Sequence, residues 1–408
     1  MPKRPAARNR NNHFIEIEQL RPTWAEVDVD ALAFNIGLIQ RKVGSSRIFP
    51  VIKADAYGHG ALSVCKALGK RDLDYICLAL LEEGIELRNA GIDLPVLILG
   101  PLETYQIREA VHHRFIASAY RMDIIDEIEK VARSLRKKVP FHLKLDTGMG
   151  RLGLLPEHAE AAAAKIRKLK YAYAEGIFSN FSSADEPHKP VTCKQMNRFF
   201  RFLAVLESNG IRIPIRHLAN SSGILNFPES HLDAVRPGLL VYGLNPPSSP
   251  VKLPVKPALT LKSRIVSLKE YQKNTPIGYS GRFITKRKSH IAVLPVGYDD
   301  GIVRALSPGG EVILKGKRTP IIGAISMDLI TIDVTGIRGV QTGDVVTLLG
   351  RERAEEISVL ELAQKAGTIP YEILCGIGRR VPRIYVKNGA ITSIKAFHVE
   401  KSLSRPGS

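Results

Sequence analysis

The stretch "IFPVIKADAYGHG", residues 48–60, decides how the rest of the chain is read. A β-rich apolar run leads straight into Lys53, and Tyr57 follows four places on, ahead of Gly-His-Gly. An unpaired ammonium buried in a core is costly. Lys53 therefore either snorkels to water or stands where a strand hands over to a loop and has chemistry to perform. The second reading makes 48–52 the first strand of a recurring unit: a short apolar run, a polar or Gly-rich loop, then a helical period. The runs fall at 48–52, 75–80, 96–99, 115–118, 141–145, 174–178, 215–219 and 234–236, with helix-like segments at 61–69, 82–90, 121–137, 157–168 and 191–209. Gly91 and Gly210 sit where a left-handed residue ends a helix. Eight strands alternating with helices predict parallel βα units closed into a barrel.

After Pro246-Pro247 the grammar changes. Residues 256–396 offer short β-branched runs (IVSL, HIAVLPV, EVILK, ITIDV, VVTLL, RIYV, ITSIKAF) divided by glycine turns, and only 357–367 has a helical pattern. That predicts a mostly antiparallel β domain. The expected fold class is α/β + β: an eight-stranded (β/α)8 TIM-type barrel over 23–250, then a C-terminal β domain over 251–398. Residues 1–22 read as a basic, disordered tail and 399–408 as a second tail.

Composition narrows the function classes. The chain has 408 residues, 44% of them hydrophobic. No apolar run approaches the roughly 18–20 residues that span a bilayer. Residues 1–22 carry Lys3, Arg4, Arg8 and Arg10 without the apolar core of a secretory signal. The expectation is a cytoplasmic protein with no membrane partner. Cys65, Cys77, Cys193 and Cys375 lie far apart, which predicts reduced thiols, no disulfide framework and no metal. The formal charge of +19 is spread in ones to threes without interleaved stacking aromatics, so no nucleic-acid partner is expected.

In a βα barrel the functional residues gather where the strands end in loops at the C-terminal face. Unusual polar residues fall there repeatedly: Lys53-Ala-Asp55-Ala-Tyr57, Lys144-Leu-Asp146 on to Arg151, Ser179-Asn180, Asn220-Ser221-Ser222-Gly223, and Arg236-Pro-Gly238. A lysine desolvated at such a mouth can lose its proton and form a Schiff base with a carbonyl substrate or with pyridoxal phosphate. Ser221 and Gly238 would supply hydroxyl and backbone N–H donors to a phosphate. Arg236 is more discriminating. A pyridoxal enzyme that wants a strong electron sink sets a carboxylate at the pyridine nitrogen. An arginine there can only donate a hydrogen bond, so the carbanion is short-lived and quick reprotonation is favoured. The competing reading of Arg236 is a salt bridge to an aspartate on the barrel floor.

The chain resembles the bacterial alanine racemases from about residue 22 to 396. The stretches that carry the resemblance are "RPTWAEVDVDAL", "VIKADAYGHG", "LKLDTGMGRLG", "SADE", "HLANSSG", "VRPGLLVYG", "GYSGRF", "LPVGYDDG", "GAISMDL", "GDVVTLLG" and "YEILCGIGRRVPR". The resemblance implies a pyridoxal 5'-phosphate enzyme that interconverts L- and D-alanine and supplies D-alanine for peptidoglycan. It implies a head-to-tail homodimer whose barrel mouths are capped by the partner's β domain. It makes Lys53 the cofactor anchor and the base on one substrate face, and Tyr279 of the partner subunit the base on the other. It pairs Arg151 with Tyr279, and makes Lys144 a candidate for carbamylation. Tyr57, Ser221, Gly238 and Leu239 match phosphate contacts, and His217 would orient Arg236. Met327 would offer its backbone N–H, with Asp328 near the substrate carboxylate, and Tyr298 matches an entrance tyrosine.

Three positions depart from the family pattern. Asn180 stands where a histidine is usual, Arg379 where a tyrosine often helps bind the phosphate, and Ala324 where an entrance arginine is common. They leave both bases in place and open the question of substrate breadth beyond alanine. A fold-related decarboxylase and a non-catalytic pyridoxal-phosphate carrier are the competing readings. Arg236 argues against the first, and the β domain with Tyr279 against the second.

Overall fold

The computed structural model describes residues 20–69 and 73–396; of the expected tails at 1–22 and 399–408, residues 1–19 and 399–408 lie outside them, while Arg21 is tied to Asp300 at 2.5 Å and so belongs to the folded chain. Short runs of Ile, Leu, Val and Phe with no polar alternation suit strands buried on both faces. They form the barrel: β2 (Arg47–Ile48), β3 (Ile76–Leu78), β4 (Val96–Ile98), β5 (Phe115–Ala119), β6 (Val139–Lys144), β7 (Ala172–Phe178), β8 (Ile215–Asn220) and β9 (Ala234–Arg236), following an initial strand β1 (Thr23–Asp28). The eight-stranded parallel sheet runs β2-β9-β8-β7-β6-β5-β4-β3. It closes just beyond β2, where Val51 bridges Cys77 in parallel. The Ile52 N–H bonds the Cys77 carbonyl at 2.8 Å, and the Cys77 N–H bonds the Pro50 carbonyl at 2.9 Å.

The helices pack their apolar stripes on this cylinder. Met122–Leu135, for example, buries Ile124, Ile125, Ile128, Val131 and Ala132. On the same face Glu129 accepts the N–H groups of Lys170, Tyr171 and Ala172, at 3.2, 2.9 and 2.8 Å. The helix is thereby tied to the start of β7.

β1 does not join the barrel. It lies inside the C-terminal sheet, antiparallel to β10 (Leu259–Arg264) and parallel to Arg383–Lys387. The second unit is mostly antiparallel, as expected, but three of its pieces carry weak local signals. β10 alternates buried and half-exposed residues and ends in Lys-Ser-Arg. The strand Lys317–Ile322 contains Pro320, which demotes a run to an edge. A second helix, Pro370–Gly376, follows the expected one at Val359–Ala366 and is only seven residues long.

Between β2 and the next helix the chain takes an unusual turn. Ala54, Asp55, Ala56 and Tyr57 all have φ between 50° and 57°. Each non-glycine residue in that region costs about 1–2 kcal/mol, so the turn persists only because it is pinned. Glu83 Oε1 accepts the Ala54 N–H at 2.6 Å. Asp55 Oδ1 accepts the Ala61 N–H at 2.7 Å and faces Lys395 at 3.3 Å. The turn sets Lys53 at the mouth and folds Tyr57 back beneath it.

Candidate active site

The C-terminal ends of the strands open into a cleft of about 620 Å³. Lys53, Tyr57, Lys144, Arg151, Asn180, Ser221, Arg236 and Gly238 all line it. The segments read from the sequence as converging on one mouth do converge there.

Arg236 lies at the floor, 3% exposed. Its Nη1 donates to His217 Nδ1 and to the His217 carbonyl, each at 2.8 Å, and its Nη2 to the carbonyls of Ser179 (2.5 Å) and Leu218 (3.2 Å). A register shift between β8 and β9 opens these carbonyls to it. Among the described residues no carboxylate is a partner of Arg236, so the floor salt bridge is not formed there. A guanidinium has five N–H groups; with four used, the Nε–H is left without a partner among the described residues. Burial brings Arg236 down to about 10, which still leaves it a cation at neutral pH.

At the rim, Ser221 Oγ accepts the N–H of Gly238 at 2.9 Å and of Leu240 at 3.4 Å. Its hydroxyl hydrogen remains to be donated into the cleft. The Gly238 N–H is therefore already engaged, and the backbone donor left on this turn is that of Leu239, for which the described residues offer no acceptor. Gly238 matters for space instead, since a Cβ there would stand 2.6 Å from the Tyr57 hydroxyl. Tyr57 packs on Tyr242, ring centroids 4.9 Å apart, and on Tyr371 at 5.6 Å. Burial raises the Tyr57 phenol well above its usual range and keeps it a neutral donor.

On β6, Lys144 is 7% exposed and donates to the Leu99 carbonyl at 3.1 Å. Burial, helped by the charges of Arg151, Arg236 and Lys53, lowers its amine to about 8. Two residues on, Asp146 organises the loop that follows. Its Oδ1 accepts the N–H groups of Gly148 (2.9 Å), Met149 (2.9 Å) and Gly150 (3.0 Å), and its Oδ2 that of Arg151 (2.9 Å). Burial alone would raise this carboxyl, but the four N–H bonds hold it below its ordinary value. The turn delivers the exposed Arg151 side chain to the cleft.

The remaining residues singled out in the sequence are elsewhere. Tyr279, 72% exposed, stands on the tip of the hairpin Pro276–Ile277 and Phe283–Ile284. Met327 and Tyr298 are also exposed, at 51% and 43%. The Tyr298 N–H bonds the Ser326 carbonyl at 3.0 Å, and Asp328 pairs with Arg380 at 2.6 Å. These residues form an exposed loop cluster on the β domain, and none of them lines the Lys53 cleft of its own chain. Of the three departures, Asn180 lines the cleft and donates to Met149 Sδ at 3.3 Å. Arg379 lines a neighbouring cleft with Asp55, Glu82, Glu83 and Glu86. Ala324 is half-buried beside Gly278.

Residue-by-residue reading of the sequence missed Phe178 and Tyr371. Phe178 stacks on His217 at 4.9 Å and lies under Lys144 and Arg236. Its only local signal is a place at the end of an apolar run. Among the described residues no group of three or more His, Cys, Asp and Glu is arranged to hold a metal ion, and no helix is long and apolar enough to cross a membrane.

Lys53, Tyr57, Ser221 and Arg236 thus bring an amine, two hydroxyls and a guanidinium to one cleft. Comparison with known proteins defines the chain as a barrel enzyme of the pyridoxal-phosphate-dependent class. The family described as "Alanine racemase, N-terminal domain" matches residues 27–246, and "Alanine racemase, C-terminal domain" matches 258–385. The chain is 42% identical over 383 residues to "Alanine racemase 2" of Caldanaerobacter subterraneus subsp. tengcongensis, covering 93% of this chain and 99% of that protein. A solved alanine racemase of Clostridium difficile 630 superposes with a TM-score of 0.87 at 36% identity, over 93% and 99% of the two chains. The Bartonella henselae alanine racemase with covalently bound pyridoxal phosphate superposes with a TM-score of 0.82 at 28% identity, over 90% and 99%. The chain belongs to the alanine racemase family, and its activity is that of a pyridoxal-phosphate-dependent isomerase.

Proposed function

We propose that this chain interconverts L- and D-alanine by a two-base route shared between two copies, Lys53 working on one face of the substrate and Tyr279 of the partner subunit on the other. The observation that carries the reading is the pairing, in one cleft, of Lys53 with a buried Arg236 that has no carboxylate partner. Tyr57, Ser221 and the Leu239 N–H would take the phosphate, Lys53 the aldehyde carbon, and the Arg236 Nε–H the ring nitrogen. Pyridoxal phosphate, when bound, supplies the electron sink that lets the α-proton leave. Lys53 then takes or returns that proton on one face while the partner's Tyr279 serves the other, as inversion requires.

The dimer is supported by where the chain keeps its second base. Tyr279, Tyr298, Met327 and Asp328 stand exposed on the β domain, outside the cleft that holds Lys53. In a head-to-tail pair they would reach the partner's mouth. Arg151 would steady the partner's Tyr279, and the Met327 N–H and Asp328 would flank the substrate carboxylate. Lys144, with its amine lowered to about 8, is suited to carbamylation, which would replace a cation beside Arg151 with an anion. The D-alanine formed would serve peptidoglycan synthesis in a cytoplasmic setting.

The test is α-proton exchange of L-alanine in heavy water with the purified holoenzyme, followed by chiral analysis. The expected result is exchange with conversion to D-alanine. Retention of the α-proton by protein that holds its cofactor would overturn the reading. L-Serine run in parallel reports whether Asn180 and Ala324 widen the substrate range.

A further inference from the structure

Behind Arg236 the barrel interior contains a file of polar groups that a packed core would ordinarily exclude. Beyond the bond from Arg236 Nη1 to His217 Nδ1, His217 Nε2 lies 2.8 Å from His142 Nδ1. His142 Nε2 faces Glu175 Oε2 at 3.4 Å, and the Tyr75 hydroxyl donates to that same oxygen at 2.5 Å. Phe49 meets Tyr75 and His217 edge-on at 5.0 and 5.5 Å, and Phe178 stacks on His217. Both imidazoles are fully buried.

Two features of the backbone are built around this file. Phe141 pairs with Ala174 while His142 pairs with Gly176, so Glu175 is the extra residue of a bulge in β7. Such a bulge re-aims a side chain, here bringing Glu175 to His142 and Tyr75. Gly176 clears the space for the imidazole, because a Cβ there would stand 2.4 Å from the His142 ring.

The direction of every link follows from one fact. Arginine has donors and no acceptor, so His217 Nδ1 must present a lone pair. A neutral His217 then carries its proton on Nε2 and donates to His142 Nδ1. His142 in turn carries its proton on Nε2, pointed at the Glu175 carboxylate. The last contact, at 3.4 Å, is electrostatic rather than a formed hydrogen bond, and among the described residues His142 Nε2 has no hydrogen-bond partner. Burial lowers both histidines and favours their neutral forms, and for His217 the charge of Arg236 adds to it.

We propose that Glu175, His142 and Tyr75 are positioning residues for the reaction proposed above. They lock the tautomer of His217 so that Arg236 always meets an acceptor and keeps its Nε–H aimed into the cleft. The proposal rests on the reading of Arg236 as the partner of the cofactor ring nitrogen. The opposite tautomer of His142 would reverse the file and set an N–H of His217 against the Arg236 guanidinium, displacing that donor.

The test is ¹⁵N NMR of the histidine-labelled holoenzyme, with the cofactor dissociation constant and the bound-cofactor absorbance measured on the same samples. In wild type, His217 and His142 should both carry the proton on Nε2. A proton on His217 Nδ1 would overturn the proposal without any variant being made. Glu175→Leu should mix or reverse the tautomers, shift the cofactor band and weaken cofactor binding about five- to tenfold, the scale of one lost hydrogen bond. Glu175→Gln, which keeps an acceptor oxygen, should restore the wild-type tautomer and affinity to within about twofold. Unchanged tautomers or unchanged cofactor affinity in folded Glu175→Leu would overturn it. If the Leu variant does not fold, Tyr75→Phe, which frees the carboxylate oxygen from its second donor, must still shift the His142 resonances, and no shift would refute the file. Absence of alanine exchange in wild type would refute the catalytic reading alone and leave the tautomers to be judged separately.

Discussion

Lys144 is the residue at which the energetics of the mouth can be measured directly. Its amine is lowered from 10.5 to about 8, by burial first and then by Arg151, Arg236 and Lys53. At about 1.4 kcal/mol per pKa unit, keeping the unmodified amine charged costs on the order of 3 kcal/mol. The sign follows from proton linkage. Between about pH 8 and 10.5 the unfolded chain binds more protons at this site than the folded one, so stability rises with pH across that window. Below about 8 both states are protonated and the penalty is constant. Lys144→Met removes the group at similar volume, so the difference between wild type and variant isolates it from every other titration. In carbon-dioxide-free buffer the variant should be the more stable at pH 7 by up to ~3 kcal/mol, with the gap closing as the pH rises toward 10. Added bicarbonate near pH 8 should raise the unfolding midpoint of wild type and leave Lys144→Met unmoved, because only a neutral amine reacts with carbon dioxide. A pH-independent gap would refute the burial argument. Equal bicarbonate responses in the two proteins would refute carbamylation.

Three further outcomes are expected. Lys53→Ala should abolish the absorbance of covalently held cofactor, and an unchanged spectrum would reject Lys53 as the anchor. Tyr279→Phe should suppress α-proton exchange from the D-isomer far more than from the L-isomer, and equal losses would argue against one base per face. Gly238→Ala places a methyl 2.6 Å from the Tyr57 hydroxyl; it should weaken cofactor binding about tenfold or more, on the ~1–3 kcal/mol scale of overpacking, as read by cofactor titration.

Much of the barrel is legible in the sequence because its strands are buried on both faces, and uninterrupted apolar runs such as 96–99 and 115–118 admit few other readings. β1 is not legible as part of the β domain. Its partners at 259–264 and 383–387 lie more than 200 residues away, and no local pattern encodes that pairing. The strand at 317–322 is masked by Pro320 and its charged start. In the site, Lys53, Ser221 and Arg236 stand out as polar residues at the ends of apolar strands. Tyr279, Met327 and Asp328 carry no such mark and enter only through likeness to the alanine racemases. Glu175 is hidden for another reason: within "AYAEGIF" it reads as an outward residue of a regular strand, and the bulge that turns it inward appears only when β7 pairs with β6.

The sequence by itself determined the alternation that closes a barrel, the change to β structure after Pro246-Pro247, and the supply of Lys53, Lys144, Arg151, Arg236 and a Gly-rich rim at the strand ends. Which hydrogen-bonding groups stay free was decided by the tertiary structure alone. The Gly238 N–H is taken by Ser221, and four of the Arg236 donors are taken by His217 and three backbone carbonyls. Among the described residues, what remains is the Arg236 Nε–H, the Leu239 N–H and the hydroxyls of Ser221 and Tyr57. A group already bonded inside the protein cannot hold a ligand, and that division is settled only once strands distant in the chain lie side by side.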